Sequence, residues 1–337
     1  MYTIKNIAKK LLGSKNIERI SNYRIKRVLK KNFLNDYKLY NKHSSVLIQD
    51  TYHKIEAEIT LRYHSLEKGF LHNPIRYRFA KKRVEELLDY LRFDDVNGHI
   101  KNVQIQSAIL NLCVYYELHL KNNINISDFF SKEEYEQLKR NLLINEQPVK
   151  YHTSSDYFNF RLSNFEQFSK SRCSVRDFTG EKISLEIFQE VVELANQAPT
   201  VCNRQGISVN IIDNKDKIDE ILLIQGGLKG YSESLSQLIV LTSDRSYFHT
   251  IGERYQLYID GGIYLMNLLY ALHYYEIVAC PAHWGLPIEA DIKAQKIIGL
   301  NESEKIICLI AIGKPVKNFK TTLSLRRSYN ENLRVIN

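Results

Sequence analysis

The spacing of the apolar residues changes near residue 150, and this change constrains the fold more than any other feature of the sequence. Before it, apolar residues recur at intervals of three and four in QDTYHKIEAEITLRYHSLEKGF, RFAKKRVEELLDYLRFDD and NVQIQSAILNLCVYYELHLKNN. Breaks such as GFLHNP separate these stretches. Because that period gathers apolar side chains on one face of a helix, residues 46–150 are predicted to be helical throughout.

Beyond this region the pattern alternates between helices and short strands. Residues 151–167 are rich in Ser and Asn, lack periodicity and are predicted to be a linker to a second domain over residues 168–337. In that domain ISLEIFQEVVELANQAP is helical in pattern, whereas ISVNIIDN, QLIVLTS and IICLIAIGKP are typical of strands. The expected fold class is therefore α/β or α+β.

The segment DGGIYLMNLLYALHYYEIVACP, residues 260–281, is apolar on nearly every side. It is predicted to be one long helix that lies in a core or in a subunit interface. The second domain contains about 170 residues, which is little chain to bury such a helix alone. A homodimer built around residues 258–275 is therefore expected, and coverage of the same surface by the helical front half is the alternative.

Composition limits the class of protein. The chain has 337 residues, which favours two domains, and 44% of them are apolar, which is enough for proper cores. The longest apolar runs are far shorter than a membrane span, and no secretion signal follows the basic start, so a cytoplasmic protein is expected. Five cysteines without a CxxC pair argue against a disulfide framework and a zinc knuckle.

Residues 1–45 form a basic arm. They hold 12 of the 47 Lys and Arg residues and 2 of the 38 Asp and Glu residues, a net charge of +10, whereas the remaining 35 basic and 36 acidic residues give −1. MYTIKNIAKKLLG has a helical apolar face flanked by lysines. The arm fits either an anionic membrane surface or a helix packed on its own protein. Nucleic acid is not expected, because no recognised nucleic-acid motif accompanies the charge.

The stretch SRCSVRDFTG places two arginines, Arg172 and Arg176, around Ser174. Guanidinium groups offer paired donors to phosphate oxygens, and the hydroxyl adds a third, so the turn suits a phosphate. A solvated basic loop is the alternative. The usual nucleotide devices are missing, since neither GxGxxG before a crossover helix nor GxxxxGK[ST] occurs, and no nucleophile elbow is present.

In HSLEKGF, His64 and Glu67 are three residues apart on one predicted helical face. Such a pair is either hydrogen-bonded for structural reasons or part of a metal site. No second HxxE pair lies nearby, which favours the structural interpretation and predicts no metal.

Taken in order, SRCSVRDFTG, ANQAPTVCNRQGISVNII, YIDGGIYLMNLLYALHYYEIVACPAHWG and IICLIAIGKP closely resemble the FMN-dependent nitroreductase superfamily over about residues 168–330. Its members typically open with Arg-x-Ser-x-Arg, continue with Ala-Pro-Ser/Thr-x-x-Asn-x-Gln and an Asp-x-Gly helix, and finish with Ile-Gly-x-Pro. HSLEKGF is similar to the HxxEKG string of a narrower subset that occurs in bacterial surface-polysaccharide gene clusters. The resemblance implies an α+β fold, with a three-layer α/β/α flavin domain behind an all-helical N-terminal region.

The resemblance also implies which residues hold the phosphate end of FMN. Arg172, Ser174 and Arg176 would bind the phosphate and the ribityl chain. Near the C-terminus, Arg326 or Arg327 would close the phosphate pocket.

Around the flavin ring, Pro199, Thr200, Asn203 and Gln205 would approach from the neighbouring subunit. CPAHWG occupies the place where the family directs a backbone N–H at flavin N5, which makes the amides of His283 and Trp284 the catalytic candidates. Family members more often have Glu-Gly there. A core tryptophan and a surface histidine are the alternatives at these two positions.

The implied function is an FMN-dependent oxidoreductase. It would pass hydride from NADPH or NADH to a small-molecule electron acceptor by a ping-pong mechanism, in polysaccharide or cell-envelope biosynthesis, in the cytoplasm or at the inner face of the membrane. Two other functions remain open. One is a flavin-binding scaffold of a glycan-assembly complex, and the other is a flavin dehydrogenase that acts on a glycan or carrier-linked substrate without nicotinamide.

Overall fold

The computed structural model describes residues 14–228 and 230–336. The amphipathic helix predicted for MYTIKNIAKKLLG, residues 1–13, therefore lies outside the described residues. The rest of the arm is one long helix, α1 (Ser14–His43), whose side chains are almost all exposed. Asp36 joins α1 to the turn Ile251–Tyr255 through a bidentate ion pair with Arg254 at 2.7 and 3.1 Å.

The predicted helical region is confirmed. Its main helices have isoleucine, leucine and aromatic side chains that share one buried cluster, including Ile59, Leu87 and Leu112, each 0% exposed. The helices are α2 (Tyr52–Gly69), α3 (Lys81–Leu91), α4 (Asp94–Asn97), α5 (Val103–Lys121) and α6 (Lys132–Asn141).

The second region mixes helices and strands, so the predicted α+β class is confirmed. Its helices are α7 (Ser154–Phe158), α8 (Phe165–Ser171), α9 (Leu185–Ala195), α10 (Lys215–Gln225), α11 (Gln256–Tyr274), α12 (Ile288–Ile298) and α13 (Tyr329–Asn332). Its strands are β1 (Val149–Thr153), β2 (Ile207–Ile212), β3 (Gln237–Asp244), β4 (Val278–His283), β5 (Glu304–Gly313) and β6 (Asn318–Thr322).

Four strands form an antiparallel sheet in the order β2-β3-β5-β4. Alternate side chains of β3 serve opposite faces, as the two-residue period of a strand requires. Leu238 and Val240 pack with α10 and α12, whereas Ile239 and Leu241 pack with α9 and α11. The sheet is therefore the middle of three layers.

The predicted helix over residues 260–281 is wrong at its C-terminal end. The helix α11 stops at Tyr274, and Glu276 takes the left-handed conformation with φ 58°. The Ile277 N–H returns to the Leu272 carbonyl and turns the chain, so that residues from Val278 onward form β4. An apolar run cannot distinguish a buried helix from a central strand, which is why the sequence pattern misses this break.

The segment predicted as a linker, residues 151–167, carries regular structure. It continues β1, which pairs antiparallel with β6 near the C-terminus, and then forms α7 and the start of α8. Tyr157 is 3% exposed, in the same core as β4. Among the described residues, no helix is both long and apolar enough to cross a membrane.

Candidate functional site

The Arg-Ser-Arg turn lies against the β4 edge of the sheet. The Val175 N–H donates to the Ala279 carbonyl at 3.1 Å, and the Thr179 N–H donates to the Lys314 carbonyl at 3.0 Å. Val175 is fully buried between these anchors. The backbone is thus fixed on the sheet, and the side chains on either side of Val175 are carried at its edge.

The two arginines of this turn have buried guanidinium nitrogens without hydrogen-bond partners. Arg176 is 7% exposed, and within the described part of the chain its Nε and one terminal nitrogen donate to no partner, and neither does one terminal nitrogen of Arg172. Neither arginine forms an ion pair with a described carboxylate, including that of the adjacent Asp177. A buried unpaired cation is costly, so the donor set fits an anion such as the phosphate of FMN.

A third cation lies beside these arginines. Lys68, at the end of α2, is half-buried, and burial followed by the charge of Arg176 lowers the pKa of its ammonium. Burial raises the pKa of the Cys280 thiol on β4, while the charges of Arg176, Lys68 and Arg172 oppose that rise. The three cations therefore all lie near enough to Cys280 on β4 to act on its thiol.

Two buried side chains brace the start of the turn. Tyr157 donates from its hydroxyl to the Cys173 carbonyl at 2.7 Å, and the same hydroxyl accepts from the Cys173 N–H at 3.3 Å. His273 of α11, which is 1% exposed, is 2.8 Å from the Ser171 hydroxyl through Nε2. Burial and then the charge of Arg172 lower the pKa of His273 to about 4, so the ring is neutral at pH 7. The two bracing side chains therefore add no charge beside Arg172, Arg176 and Lys68.

The loop that carries Thr200, Asn203 and Gln205 is held by a set of hydrogen bonds separate from that of the arginine turn. Asp260 at the start of α11 is 3% exposed and accepts the Val201 N–H at 3.2 and 3.3 Å. The Gln205 N–H donates to the Thr200 hydroxyl at 3.0 Å, and its side-chain amide donates to the Asn203 side-chain oxygen at 3.0 Å.

Left-handed backbone at Cys202, Asn203 and Gln205, with φ of 50°, 54° and 51°, holds the loop in a tight turn. The side chains of Asn203 and Gln205 are exposed. Non-glycine residues in this conformation are uncommon and mark positions that the surrounding structure constrains. The amide groups are therefore presented outward on a defined turn that leads into β2, and Pro199 lies at its start.

One chain does not bring these two parts together. The arginine turn adds to β4, whereas the 199–205 loop leads into β2, and these strands are the opposite edges of the four-stranded sheet. Three interstrand spacings separate the edges, about 14 Å. Among the described residues, no hydrogen bond joins the two parts.

The C-terminal arginines lie elsewhere. Arg327 forms a bidentate pair with the buried Glu56 carboxylate at 2.6 and 3.2 Å, and Arg326 is exposed and bonded to the Ser324 carbonyl. The Ser324 N–H is 3.4 Å from Glu67 at the other end of α2. On α2, Glu67 and Glu56 are about 16 Å apart at a rise of 1.5 Å per residue. The segment from 324 to 327 thus runs along α2 from Glu67 to Glu56, in the direction that leads away from Lys68.

The CPAHWG segment ends β4. The Trp284 side chain is 5% exposed in the core, and its indole N–H donates to Asp291 at 2.8 Å. The His283 side chain is exposed, and its carbonyl accepts from Gln225 at 3.1 Å. The side chains follow the core-tryptophan and surface-histidine alternatives, and the backbone amides remain the candidates for contact with a flavin ring.

In HSLEKGF, His64 Nδ1 and Glu67 Oε2 are 3.1 Å apart, in the hydrogen-bonded arrangement that the sequence favours. Gly69 follows them because a Cβ there would meet the Phe79 ring at 2.1 Å. No group of three or more potential metal ligands occurs among residues 14–228 and 230–336.

Sequence reasoning missed four contributors to the site: Lys68, Tyr157, Cys280 and His273. The basic residue in HSLEKGF was visible, but its proximity to Arg176 depends on how two distant regions pack. A histidine within a strongly apolar helix is the only sequence signal for His273.

The Nitroreductase family model matches residues 170–238. A putative NADH oxidase from Clostridium acetobutylicum is similar in structure at 19% identity and TM-score 0.43, covering 50% of this chain and 98% of that one. A nitroreductase-like protein from Streptococcus mutans has 18% identity and TM-score 0.45, covering 52% and 100%. An FMN-dependent nitroreductase from Clostridium difficile has 18% identity and TM-score 0.38, covering 49% and 92%.

No curated protein sequence matches the chain. The matched residues include the arginine turn, the 199–205 loop, the strand β2 and the first two residues of β3. The similarity to the Nitroreductase family model thus covers residues 170–238, the part of the chain that carries the arginine turn and the 199–205 loop.

Proposed function

We propose that this protein is an FMN-dependent oxidoreductase that takes hydride from NADPH or NADH and passes it to a small-molecule acceptor by a ping-pong mechanism. The observation that carries the proposal is the pair of arginines, Arg172 and Arg176, whose buried, unpartnered nitrogens lie within the segment that matches the Nitroreductase family model. When bound, FMN supplies the hydride chemistry.

The residues of the chain would bind and orient the flavin. Arg172 and Arg176 would hold the phosphate, with Ser174 beside them. The braces from Tyr157 and His273 would keep the turn in place, so that little reorganisation is needed on binding. The backbone amides of His283 and Trp284, at the end of β4, would donate toward the ring.

The second half of the site would come from a second copy of the chain. The 199–205 loop is at the far edge of the sheet from the arginine turn, and one face of α11 leaves Ile259, Ile263 and Met266 at 52%, 41% and 38% exposed. A homodimer across this face would bury these side chains and give Asn203 and Gln205 a flavin in the partner's site.

Light scattering tests the homodimer. The purified protein with FMN should have twice the chain mass of 39.5 kDa at micromolar concentration. The substitution Ile263→Lys should shift it toward the monomer, because a charge would enter an apolar interface. The matched control Leu223→Lys, at an exposed leucine of α10, should leave the mass unchanged. A wild-type monomer with FMN bound would contradict the homodimer.

An absorption spectrum tests the function. The purified protein should be yellow, release FMN rather than FAD on denaturation, and lose its flavin absorbance within seconds of NADPH or NADH addition under anaerobic conditions. A protein that neither carries nor takes up FMN would overturn the proposal. A flavin that stays oxidised with both nicotinamides would favour a scaffold or a nicotinamide-independent dehydrogenase instead.

We also propose a role in polysaccharide biosynthesis, which rests on the HSLEKGF motif alone. Its test is whether a sugar nucleotide or a carrier-linked glycan reoxidises the reduced flavin faster than buffer does. An unchanged rate with a panel of such acceptors would remove this part and leave the oxidoreductase proposal intact.

A further inference from the structure

The end of α2 is fastened to the second region beside the arginine turn. Tyr231 donates from its hydroxyl to the Lys68 carbonyl at 2.6 Å, and its ring stacks on His72 with centroids 4.8 Å apart. Leu228, whose carbonyl accepts the Tyr231 N–H at 3.1 Å, belongs to the same buried cluster as Val175 and Cys280. The backbone of Lys68 is therefore held at a fixed place near the edge strand β4.

The Lys68 side chain has no partner in its own region. Within residues 14–228 and 230–336, its ammonium forms neither a hydrogen bond nor an ion pair, although it is only half-exposed. The preceding carboxylate, Glu67, is engaged by His64 and the Ser324 N–H. The acid next to Lys68 in the sequence is thus occupied and does not neutralise it.

Three cations that share a partly buried space repel one another unless an anion lies between them. Arg176 and Arg172 contribute buried nitrogens without partners. Lys68 contributes an ammonium whose pKa is lowered by burial and then by the charge of Arg176. Arg327, by contrast, has its anion in Glu56 and is not available to close the cluster.

We propose that Lys68, from the helical region, is the third ligand of the phosphate group held by Arg172 and Arg176. The inference rests on the proposed function and deepens it, because it assigns to HSLEKGF a direct contact with the phosphate of the cofactor. It also gives the contact between the two regions a role, since the phosphate end of the site is complete only when the helical region is docked.

The test compares FMN with riboflavin, which lacks the phosphate, by flavin fluorescence titration of the apoprotein. The substitution Lys68→Gln should weaken FMN binding about 10- to 100-fold, the loss expected for one charge-assisted contact, and leave riboflavin binding within twofold. Lys68→Arg should restore most of the FMN affinity. The matched control Lys121→Gln, which removes an exposed lysine of the same region, should change neither.

Unchanged FMN affinity in Lys68→Gln would overturn the inference, and so would an equal loss for FMN and riboflavin. If Lys68→Gln does not give the far-ultraviolet circular dichroism of the wild type, Tyr231→Phe replaces it. That variant releases the Lys68 carbonyl and should weaken FMN binding severalfold without affecting riboflavin. Equal affinities for FMN in Tyr231→Phe and the wild type would then count against the inference.

If the wild type binds neither flavin, the proposed function fails and inorganic phosphate decides the inference. Phosphate should raise the melting temperature of the wild type above that in chloride at equal ionic strength, and this increment should disappear in Lys68→Gln. The same increment in both proteins, or none in either, would overturn the inference separately from the proposed function.

Discussion

Arg176, at the edge of the sheet, and Arg327, against helix α2, are the same type of side chain in opposite surroundings. Arg327 is half-exposed and pairs with the buried Glu56 carboxylate at 2.6 Å, whereas Arg176 is 7% exposed and has no carboxylate partner among the described residues. The chain thus neutralises the more accessible arginine and leaves the more buried one without an anion. Such an arrangement is expected where the missing anion is a ligand.

The contrast between Arg327 and Arg176 distinguishes charges that stabilise the fold from charges that bind a ligand. The Arg327–Glu56 pair fastens the C-terminal segment to α2, so its loss should weaken the fold. The cations at 68, 172 and 176 repel one another, so their loss should weaken binding of an anion without weakening the apoprotein. Four measurements test this division.

The largest effect is expected for Arg172→Ala with Arg176→Ala. The double variant should lose FMN affinity by about 100-fold or more, since each charge-assisted contact contributes about 1.5–3 kcal/mol. Its apoprotein should melt no lower than the wild type. Fluorescence titration and thermal unfolding measure both quantities, with Arg92→Ala and Arg140→Ala as the exposed matched pair. Wild-type FMN affinity in the double variant would place the phosphate elsewhere.

The second effect concerns Arg327→Ala. It should destabilise the protein by about 3 kcal/mol, because the Glu56 carboxylate, 2% exposed, is left without its cation. FMN affinity should stay within twofold. Denaturant unfolding measures the loss, and adding Glu56→Gln should recover part of it by removing the stranded charge. A large drop in FMN affinity at unchanged stability would instead show that Arg327 closes the phosphate pocket.

The third effect is a pH dependence at His273. Burial lowers its folded pKa to about 4, below the unfolded value of about 6.5, so the unfolded chain binds more protons between these values. Stability from this group is therefore present above pH 6.5 and is lost as pH falls toward 4, by up to about 3 kcal/mol. His273→Gln should flatten the stability curve over that window in urea titrations at several pH values.

The exposed His53→Gln is the matched control for that experiment and should leave the slope unchanged. A wild-type slope in His273→Gln would mean that the ring is not buried in neutral form. Any loss of FMN affinity in this variant should be small, because His273 acts on the turn through Ser171 and not on the phosphate.

The smallest effect concerns the basic arm, whose described cations, on α1, are exposed and therefore already solvated. We propose that residues 1–45 attract the protein to anionic membranes, each basic residue contributing about 1 kcal/mol near such a surface. Deletion of the arm should abolish co-sedimentation with anionic vesicles at low salt and leave FMN affinity unchanged. Equal binding by both proteins, or none by either, would exclude membrane docking by the arm.

Much of the fold could be predicted from local pattern. Several elements follow the spacing of apolar residues within a short stretch of sequence. They are the helices at 52–69, 103–121 and 185–195 and the strands at 207–212 and 237–244. The strand β1 could not be predicted in this way, because it exists through pairing with β6 more than 160 residues away in the chain. Likewise, β4 was hidden within an apolar run whose break depends on a single left-handed residue, Glu276.

The sequence by itself determined the chemistry of the candidate site, because Arg172, Ser174 and Arg176 are adjacent and their donor groups suit a phosphate in any fold that exposes them. The tertiary structure decided which charges have partners. It paired Arg327 with Glu56, placed Lys68 beside Arg176 and carried the 199–205 loop to the opposite edge of the sheet. Charge interactions act through space and fall off with distance and solvent exposure, so their outcome depends on packing between segments that the sequence keeps far apart.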